Sequence, residues 1–428
     1  MALRVWLPLD GNLNNKGVSG ATASLMGSGV SYAAGKLKQC AQLPNNANSC
    51  IYMTGLKQQV LSWSCWFKCL GNGSGNSQRI LSEGRDTGSR GTEIWLSKDG
   101  ATLYAATRGK DLNTSVTTNK WHHVCLTASA TKVSLYLDGV LKVSQDSTTT
   151  TDYAQSQDAF VIGKMSYNYT TTTNYFPFNG LVNDVRIYDE CLSPKQVKEL
   201  SKGLVAHYKF DKITEYTTNK IAGLQDVSGY GYNGTKNGSF TNPNIDSARY
   251  DKCMTFSSGY LHYLSSPLHT TTDEFSISCW FYPTTNSTMC LYNDRTGVGV
   301  GIAIFYIEGK LRFDDGTLQT TGGSVTLNAW NHVVCTYKRG GDKKIYINNV
   351  LTTTATASDL SSTGANASIG NSSTNGAAGA GNQITGHLSD FRIYCTELSA
   401  DDVKELYQTS AIVDNNSNVF AYEFIEEE

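Results

Sequence analysis

From position 184 the chain reads Asp184-Val185-Arg186-Ile187-Tyr188, then Leu192-Ser193-Pro194-Lys195-Gln196-Val197-Lys198-Glu199-Leu200. The pattern returns 206 residues later as Asp390-Phe391-Arg392-Ile393-Tyr394, then Leu398-Ser399-Ala400-Asp401-Asp402-Val403-Lys404-Glu405-Leu406. Val185 and Ile187 alternate with Asp184, Arg186 and Tyr188, the period of a half-buried strand with the polar residues outward. Ser193 is a good helix N-cap, Pro194 suits the first helical position, and Gln196 completes a capping box. Leu192 and Val197 flank the cap as a hydrophobic staple. Ser399, Asp402, Leu398 and Val403 repeat the logic. Each copy therefore predicts a strand, a tight turn and a short helix that ends a unit of roughly 200 residues, the size of a domain.

Other anchors repeat in the same order. Leu3-Arg4-Val5-Trp6-Leu7-Pro8-Leu9-Asp10 aligns with Leu204-Val205-Ala206-His207-Tyr208-Lys209-Phe210-Asp211 at an offset of 201 residues. Trp63-Ser64-Cys65-Trp66-Phe67 aligns with Ile277-Ser278-Cys279-Trp280-Phe281 at 214, and Leu135-Tyr136-Leu137-Asp138-Gly139 with Ile345-Tyr346-Ile347-Asn348-Asn349 at 210. Trp121-His122-His123-Val124 aligns with Trp330-Asn331-His332-Val333, and Cys125 is matched with Cys335. The drift in offset places insertions between strands, in loops. Short runs such as Ile94-Trp95-Leu96, Leu103-Tyr104-Ala105-Ala106 and Ile302 to Ile307 read as strands. Asp138-Gly139, Asn348-Asn349 and Glu308-Gly309 read as hairpin turns. The expectation is an all-β chain of two tandem sandwiches, each closed by a short C-terminal helix: residues 1–202, 203–408, and a connector with a final strand at 409–428.

Composition limits the function classes. Charged residues are 17% and the net charge is −2, which gives no electrostatic support for binding nucleic acid or an anionic membrane. No apolar run reaches the ~18 residues of a membrane span. Met1 leads directly into a strand-like stretch, so no signal peptide is expected. The eleven cysteines sit mostly in strand-like runs without a Cys-x-x-Cys pair. They read as buried free thiols of a protein that folds in a reducing cytoplasm.

The Trp-x-His-Val strand, the Leu-Tyr-x-Asp-Gly hairpin and the two Asp-x-Arg-Ile-Tyr strands with their capped helices resemble the concanavalin A-like lectin/glucanase superfamily. Within it they are most similar to laminin-G-type domains of bacteriophage and bacterial surface proteins. The resemblance covers about residues 2–202 and 203–408 and implies two jelly-roll sandwiches. Two departures stand out. Asp226-Val227-Ser228-Gly229 keeps the family's Asp-x-Ser-Gly turn, whereas Gly17-Val18-Ser19-Gly20 lacks the acid. Asn349 replaces the hairpin glycine.

Glucanases of the superfamily use carboxylates in a Glu-x-Asp-x-x-Glu strand. That pattern is absent, and Glu83-Gly84-Arg85-Asp86 has the wrong spacing, so no catalytic activity is expected. His122, His123 and His332 read as packed structural histidines. Asp211, Asp226 and Asp390 offer the oxygen ligands that Ca2+ takes; the competing reading pairs Asp390 with Arg392. Sugar recognition needs aromatic faces beside hydrogen-bonding side chains. Loop candidates are Trp95, Tyr153, Tyr167, Tyr169 and Tyr175 in the first repeat, and Tyr292, Asp294 and Arg295 in the second. The resulting expectation is a non-catalytic recognition protein on a phage virion, made in the host cytoplasm. It would bind a cell-surface glycan and dock on other virion proteins through the alternating apolar strand and acidic end at 418–428. A homo-oligomer fits this reading. A bacterial extracellular carbohydrate-binding protein and, less well supported, a glycoside hydrolase are the alternatives.

Overall fold

The computed structural model describes residues 3–46, 48–54, 56, 61–84, 91–148, 159–165, 176–210, 214–215, 222–238, 240–244, 253–257, 259–262, 266–268, 273–295, 300–316, 318–360, 366–372, 381–412 and 421–424. The chain divides between Gly203 and Leu204 into two compact units.

In the first unit one sheet has seven strands, in the spatial order Lys110–Ser115, Thr102–Thr107, Thr92–Ser97, Ser77–Glu83, Phe160–Ile162, Cys50–Met53, Ala23–Met26. The other runs Val140–Asp146, Lys132–Leu137, Trp121–Ala128, Ser62–Cys69, Asn179–Tyr188, Gln39–Pro44, Ser31–Ala34, and Leu3–Leu7 also pairs with Asn179–Tyr188. All described pairings are antiparallel, as in a jelly roll. Strand alternation fills the space between the sheets. Ile80, Leu81, Ile94, Leu96, Leu103 and Leu112 face Trp63, Phe67, Val124, Leu126, Leu135, Val185 and Ile187 in one buried cluster.

The second unit repeats the plan. Its eight-stranded sheet is centred on Gly386–Tyr394, Glu274–Pro283 and Asn331–Lys338. Its other sheet ends in Met289–Asn293, Ile302–Ile307, Lys310–Asp315 and Leu318–Ser324. Aromatic pairs bridge the two sheets: Phe275–Phe313 at 6.1 Å, Phe281–Tyr306 at 5.7 Å and Tyr292–Phe391 at 6.2 Å between ring centres.

The repeated Asp-x-Arg-Ile-Tyr strand departs from its expected half-burial. Asp184, Arg186 and Tyr188 are buried as well as Val185 and Ile187, because Trp6 of the first strand covers the second face: its Nε1 donates to Asp184 Oδ1 at 2.6 Å, and the Arg186 guanidinium lies over its ring at 4.6 Å. In the second unit Tyr394 packs with Val334, Tyr346, Leu398, Val403 and Leu406. The helices are α1, Pro194–Ser201, and α2, Ala400–Gln408. The Gln196 amide N–H donates to Ser193 Oγ at 3.3 Å, and the Ser193 N–H donates to Gln196 Oε1 at 2.7 Å. Ser399 and Asp402 form the same box, with Ser399 Oγ donating to Asp402 Oδ2 at 2.6 Å. Asp184 and Asp390 adopt left-handed backbone, with φ of 53° and 51°, at a bulge in the closing strand. Aspartate tolerates this conformation better than most residues.

Strand register corrects one alignment. Cys125 lies opposite Tyr136, and its counterpart opposite Tyr346 is Val334. Cys335 instead matches Leu126, since Val333 follows the histidine before a second valine. None of the eleven cysteines is in a disulfide; ten are buried and Cys191 is exposed. After α2, Thr409–Ile412 pairs with Ala421–Phe424 in a separate two-stranded sheet, so the final strand finds its backbone partner within the chain.

Candidate functional site

On the first unit's seven-stranded sheet, the parity that sends Ile94 and Leu96 into the core turns Trp95 outward. Cross-strand register then sets Arg79, Trp95, Tyr104 and Asn113 in one row across four strands. Trp95 stacks on Tyr104, with ring centres 5.3 Å apart and planes 9° from parallel. The Arg79 guanidinium lies over Trp95 at 4.7 Å and over Phe176 at 5.1 Å. Such contacts contribute about 0.5–2 kcal/mol each and hold the planar groups in place. Arg79 is neutralised by Glu93, at 3.3 Å, and donates to Ser77 Oγ at 2.7 Å. Trp95 and Tyr104 are half-buried, and Asn113 at the end of the row is exposed. The result is a rigid row of aromatic rings beside a neutralised ion pair and an exposed amide, which suits apolar sugar faces and hydroxyl groups.

Only Trp95 of this row is a sequence candidate. Tyr104, Arg79, Glu93 and Phe176 come from separate strands and one loop end. The parity of Leu103-Tyr104-Ala105 marks Tyr104 as outward, yet only pairing register makes it Trp95's neighbour. Tyr153, Tyr167, Tyr169 and Tyr175 lie outside the described residues.

The second unit's candidates are split by the same parity. Tyr292 and Asp294 are fully buried rather than exposed in a loop. Asp294 accepts from the Ile302 N–H at 2.6 Å, from Ser266 Oγ at 3.1 Å and from Tyr292 OH at 3.4 Å. Burial pushes its carboxyl up to about 7 despite these bonds. Arg295 turns to the opposite face and donates to Asp314 Oδ2 at 2.5 Å. The sequence triplet is therefore not one site.

The calcium candidates are engaged by the protein. Asp390 accepts from His207 Nε2 at 2.8 Å and from Arg392 Nε and Nη2 at 2.7 and 2.8 Å. Burial alone would raise its carboxyl, but the Arg392 guanidinium outweighs that and holds it well below the usual range. Asp226 accepts from the His207, Ser228 and Tyr232 N–H groups, at 2.9, 2.9 and 3.0 Å, and from Ser228 Oγ at 2.8 Å. In the first unit Asn15 Oδ1 takes the matching bonds from the Trp6 and Gly17 N–H groups, at 3.0 and 2.9 Å. The turn residue is thus present there as an amide, two positions before Gly17. Asp211 lies outside the described residues. Among the described residues no group of three or more His, Cys, Asp or Glu side chains could hold a metal ion.

The histidines are structural. His123 Nε2 and Ser64 Oγ are 2.8 Å apart, and His332 Nε2 and Ser278 Oγ 3.0 Å. Burial pushes His123 down to about 4. His122 lies between Asp138 Oδ2 and Thr117 Oγ1, at 2.8 and 2.9 Å.

A family model for the concanavalin A-like lectin/glucanases superfamily matches residues 40–198 and 257–404, most of both units. The chain belongs to this superfamily, in its laminin-G-type branch, and its domains are of the lectin-like, carbohydrate-binding type. No curated protein matches it in sequence. Among solved structures it is similar to domain 4 of AbnA, an extracellular GH43 arabinanase from Geobacillus stearothermophilus in complex with arabinotriose: 22% identity, TM-score 0.36, covering 47% of this chain and 98% of that one. It is also similar to the receptor binding domain of botulinum neurotoxin D (14%, TM-score 0.37, 78% of this chain and 85% of that). A third is domains LG4-5 of the mouse laminin alpha1 chain (12%, TM-score 0.27, 87% and 93%).

Proposed function

We propose that the chain is a non-catalytic carbohydrate-recognition protein that engages glycans on the outward row of its first unit, and that it works on the surface of a bacteriophage virion. The row Phe176–Arg79–Trp95–Tyr104 carries the reading. It is aromatic, fixed by its own stacking, charge-neutral and in contact with solvent, within a family of lectin-like domains. Glu93, the acid beside Trp95 on this face, is paired with Arg79, which favours binding over hydrolysis. Ten buried cysteines outside any disulfide suit a protein that folds in a reducing cytoplasm, and a particle assembled there would carry it outward.

A glycan array with the full chain tests the binding. The expectation is selective binding without release of shortened sugars, lost or weakened tenfold or more in Trp95→Ala. No glycan bound, or turnover of one that binds, would sink this reading. Proteomics of purified particles tests the setting; the chain's absence from virions would remove it. Calcium has no part in the reading, so calcium and a chelator should give the same melting temperature.

A further inference from the structure

The equivalent row of the second unit reads Cys290, Phe305, Arg312 and Thr321, and its chemistry differs. Where the first unit has Tyr104, the second has Arg312. Where Trp95 reaches solvent, Phe305 is nearly fully buried. It is covered by two guanidinium groups, Arg312 at 4.7 Å and Arg295 at 5.6 Å from the ring centre. Both arginines use one carboxylate, Asp314, at 2.5 Å from Arg295 and 3.1 Å from Arg312. Asp314 is fully buried, while the arginine side chains keep 16% and 24% of their exposure.

Two cations against one anion leave a net positive charge. The first unit's Arg79 is matched one to one by Glu93. The other charged groups at this end of the sheet do not cancel the excess: Asp315 is taken by the buried Lys343, and Asp294 is buried on the inner face. The neighbouring strand brings Thr321 opposite Arg312 and Gln319 opposite Asp314, both exposed. One outward face therefore presents two oriented guanidinium groups, a hydroxyl and an amide, without an exposed aromatic ring in the row. Planar guanidinium suits bidentate pairing with an oxyanion.

We infer that this face of the second unit binds the carboxylate or sulfate group of an acidic saccharide, its hydroxyls meeting Thr321 and Gln319. The inference rests on the carbohydrate-recognition reading and divides the labour between the units: stacking on neutral sugar in the first, charge in the second.

The test is calorimetric titration of the full chain with an oligogalacturonate, its methyl-esterified form, which has the same backbone without the charge, and a sulfated oligosaccharide of similar length. At low salt at least one acidic probe should bind ten times or more tighter than the ester, and weaken as salt rises. Preference for the uronate or the sulfated probe identifies the oxyanion. Arg312→Gln, checked to be folded at the assay temperature, should cost that probe tenfold or more, Arg312→Lys less, and Trp95→Ala nothing. Should Arg312→Gln fail to fold, Asp314→Asn decides: removing the shared counter-charge should tighten acidic binding. Equal binding of acid and ester, no binding of either acidic probe, or acidic binding indifferent to Arg312 and Asp314 overturns the inference. Loss of neutral-glycan binding in Trp95→Ala is read separately, so failure of the first unit's role is not mistaken for failure here.

Discussion

Asp226 and Asn15 do one job with different chemistry. Each receives backbone N–H groups in a turn, Asn15 at its one amide oxygen but Asp226 at both carboxylate oxygens: Oδ1 takes the His207 and Ser228 N–H groups, and Oδ2 the Tyr232 N–H and Ser228 Oγ. Asp226→Asn sets an amide NH2 against a backbone N–H that the carboxylate accepts, and should cost about 1–3 kcal/mol, read as a lowered denaturation midpoint. Asp390 differs, because Arg392 is buried beside it. Asp390→Ala leaves that charge unpaired and should cost about 3–5 kcal/mol, read as a lowered denaturation midpoint for the second unit. Asp294 makes a pH prediction. Its folded-state value lies above the ordinary 3.8, so its favourable contribution is complete below that value and is lost as pH rises through about 7. Asp294→Asn keeps an acceptor for the Ile302 N–H and cannot ionise. Thermal melts of the variant should lose this loss of stability between pH 4 and 8 and lie above wild type at pH 8. Parallel pH profiles for the two proteins would contradict the assignment.

At the scale of elements, the capped helix and its strand were legible because their signals are local: Ser193 with Gln196, Ser399 with Asp402, and strict alternation before them. The burial of the strand's second face was not, since it depends on distant partners: Trp6 over Asp184 and Arg186, and the folded-back helix against Tyr394. The pairing of Cys125 with Cys335 failed because the constant offset of this stretch puts Val334, not Cys335, at the position of Cys125, as the strand register confirms. The hairpin turns show how much substitution the geometry tolerates. Asp138 and Gly139 have φ of 52° and 76°, and Asn348 and Asn349 48° and 64°, so both turns are left-handed. Asp138 Oδ1 and Asn348 Oδ1 accept the N–H of His123 and His332, each at 2.8 Å. Asparagine enters the glycine position at modest cost. Asn349→Gly should stabilise the second unit by up to about 1 kcal/mol. Gly139→Ala should destabilise the first by more than that, because a Cβ there would lie 2.3 Å from Ser201 Oγ of α1. Chemical denaturation of the pair, showing opposite signs, checks the point.

For the whole molecule, two copies of one sandwich keep their cores and closing elements alike and vary what the outward faces carry. The repeat and the β class could be read from spacing and alternation, and the laminin-G resemblance from the residues of the repeated motifs. The site could be read only in part: Trp95 is visible as an aromatic in a strand, but its row is assembled from strands whose order the sequence does not state. Tyr292, Asp294 and Arg295 show the converse, three polar neighbours in sequence that parity sends to opposite faces. The central claim is that the first unit's outward row recognises carbohydrate. Its most direct test is the affinity of the full chain for its best array glycan, measured for wild type, Trp95→Ala and Tyr104→Ala, each checked to be folded at the assay temperature. The account predicts a loss of tenfold or more in both variants, since each removes a ring face on which a sugar would stack, and about 1.4 kcal/mol of binding free energy is tenfold in affinity. Wild-type affinity in both variants would contradict it.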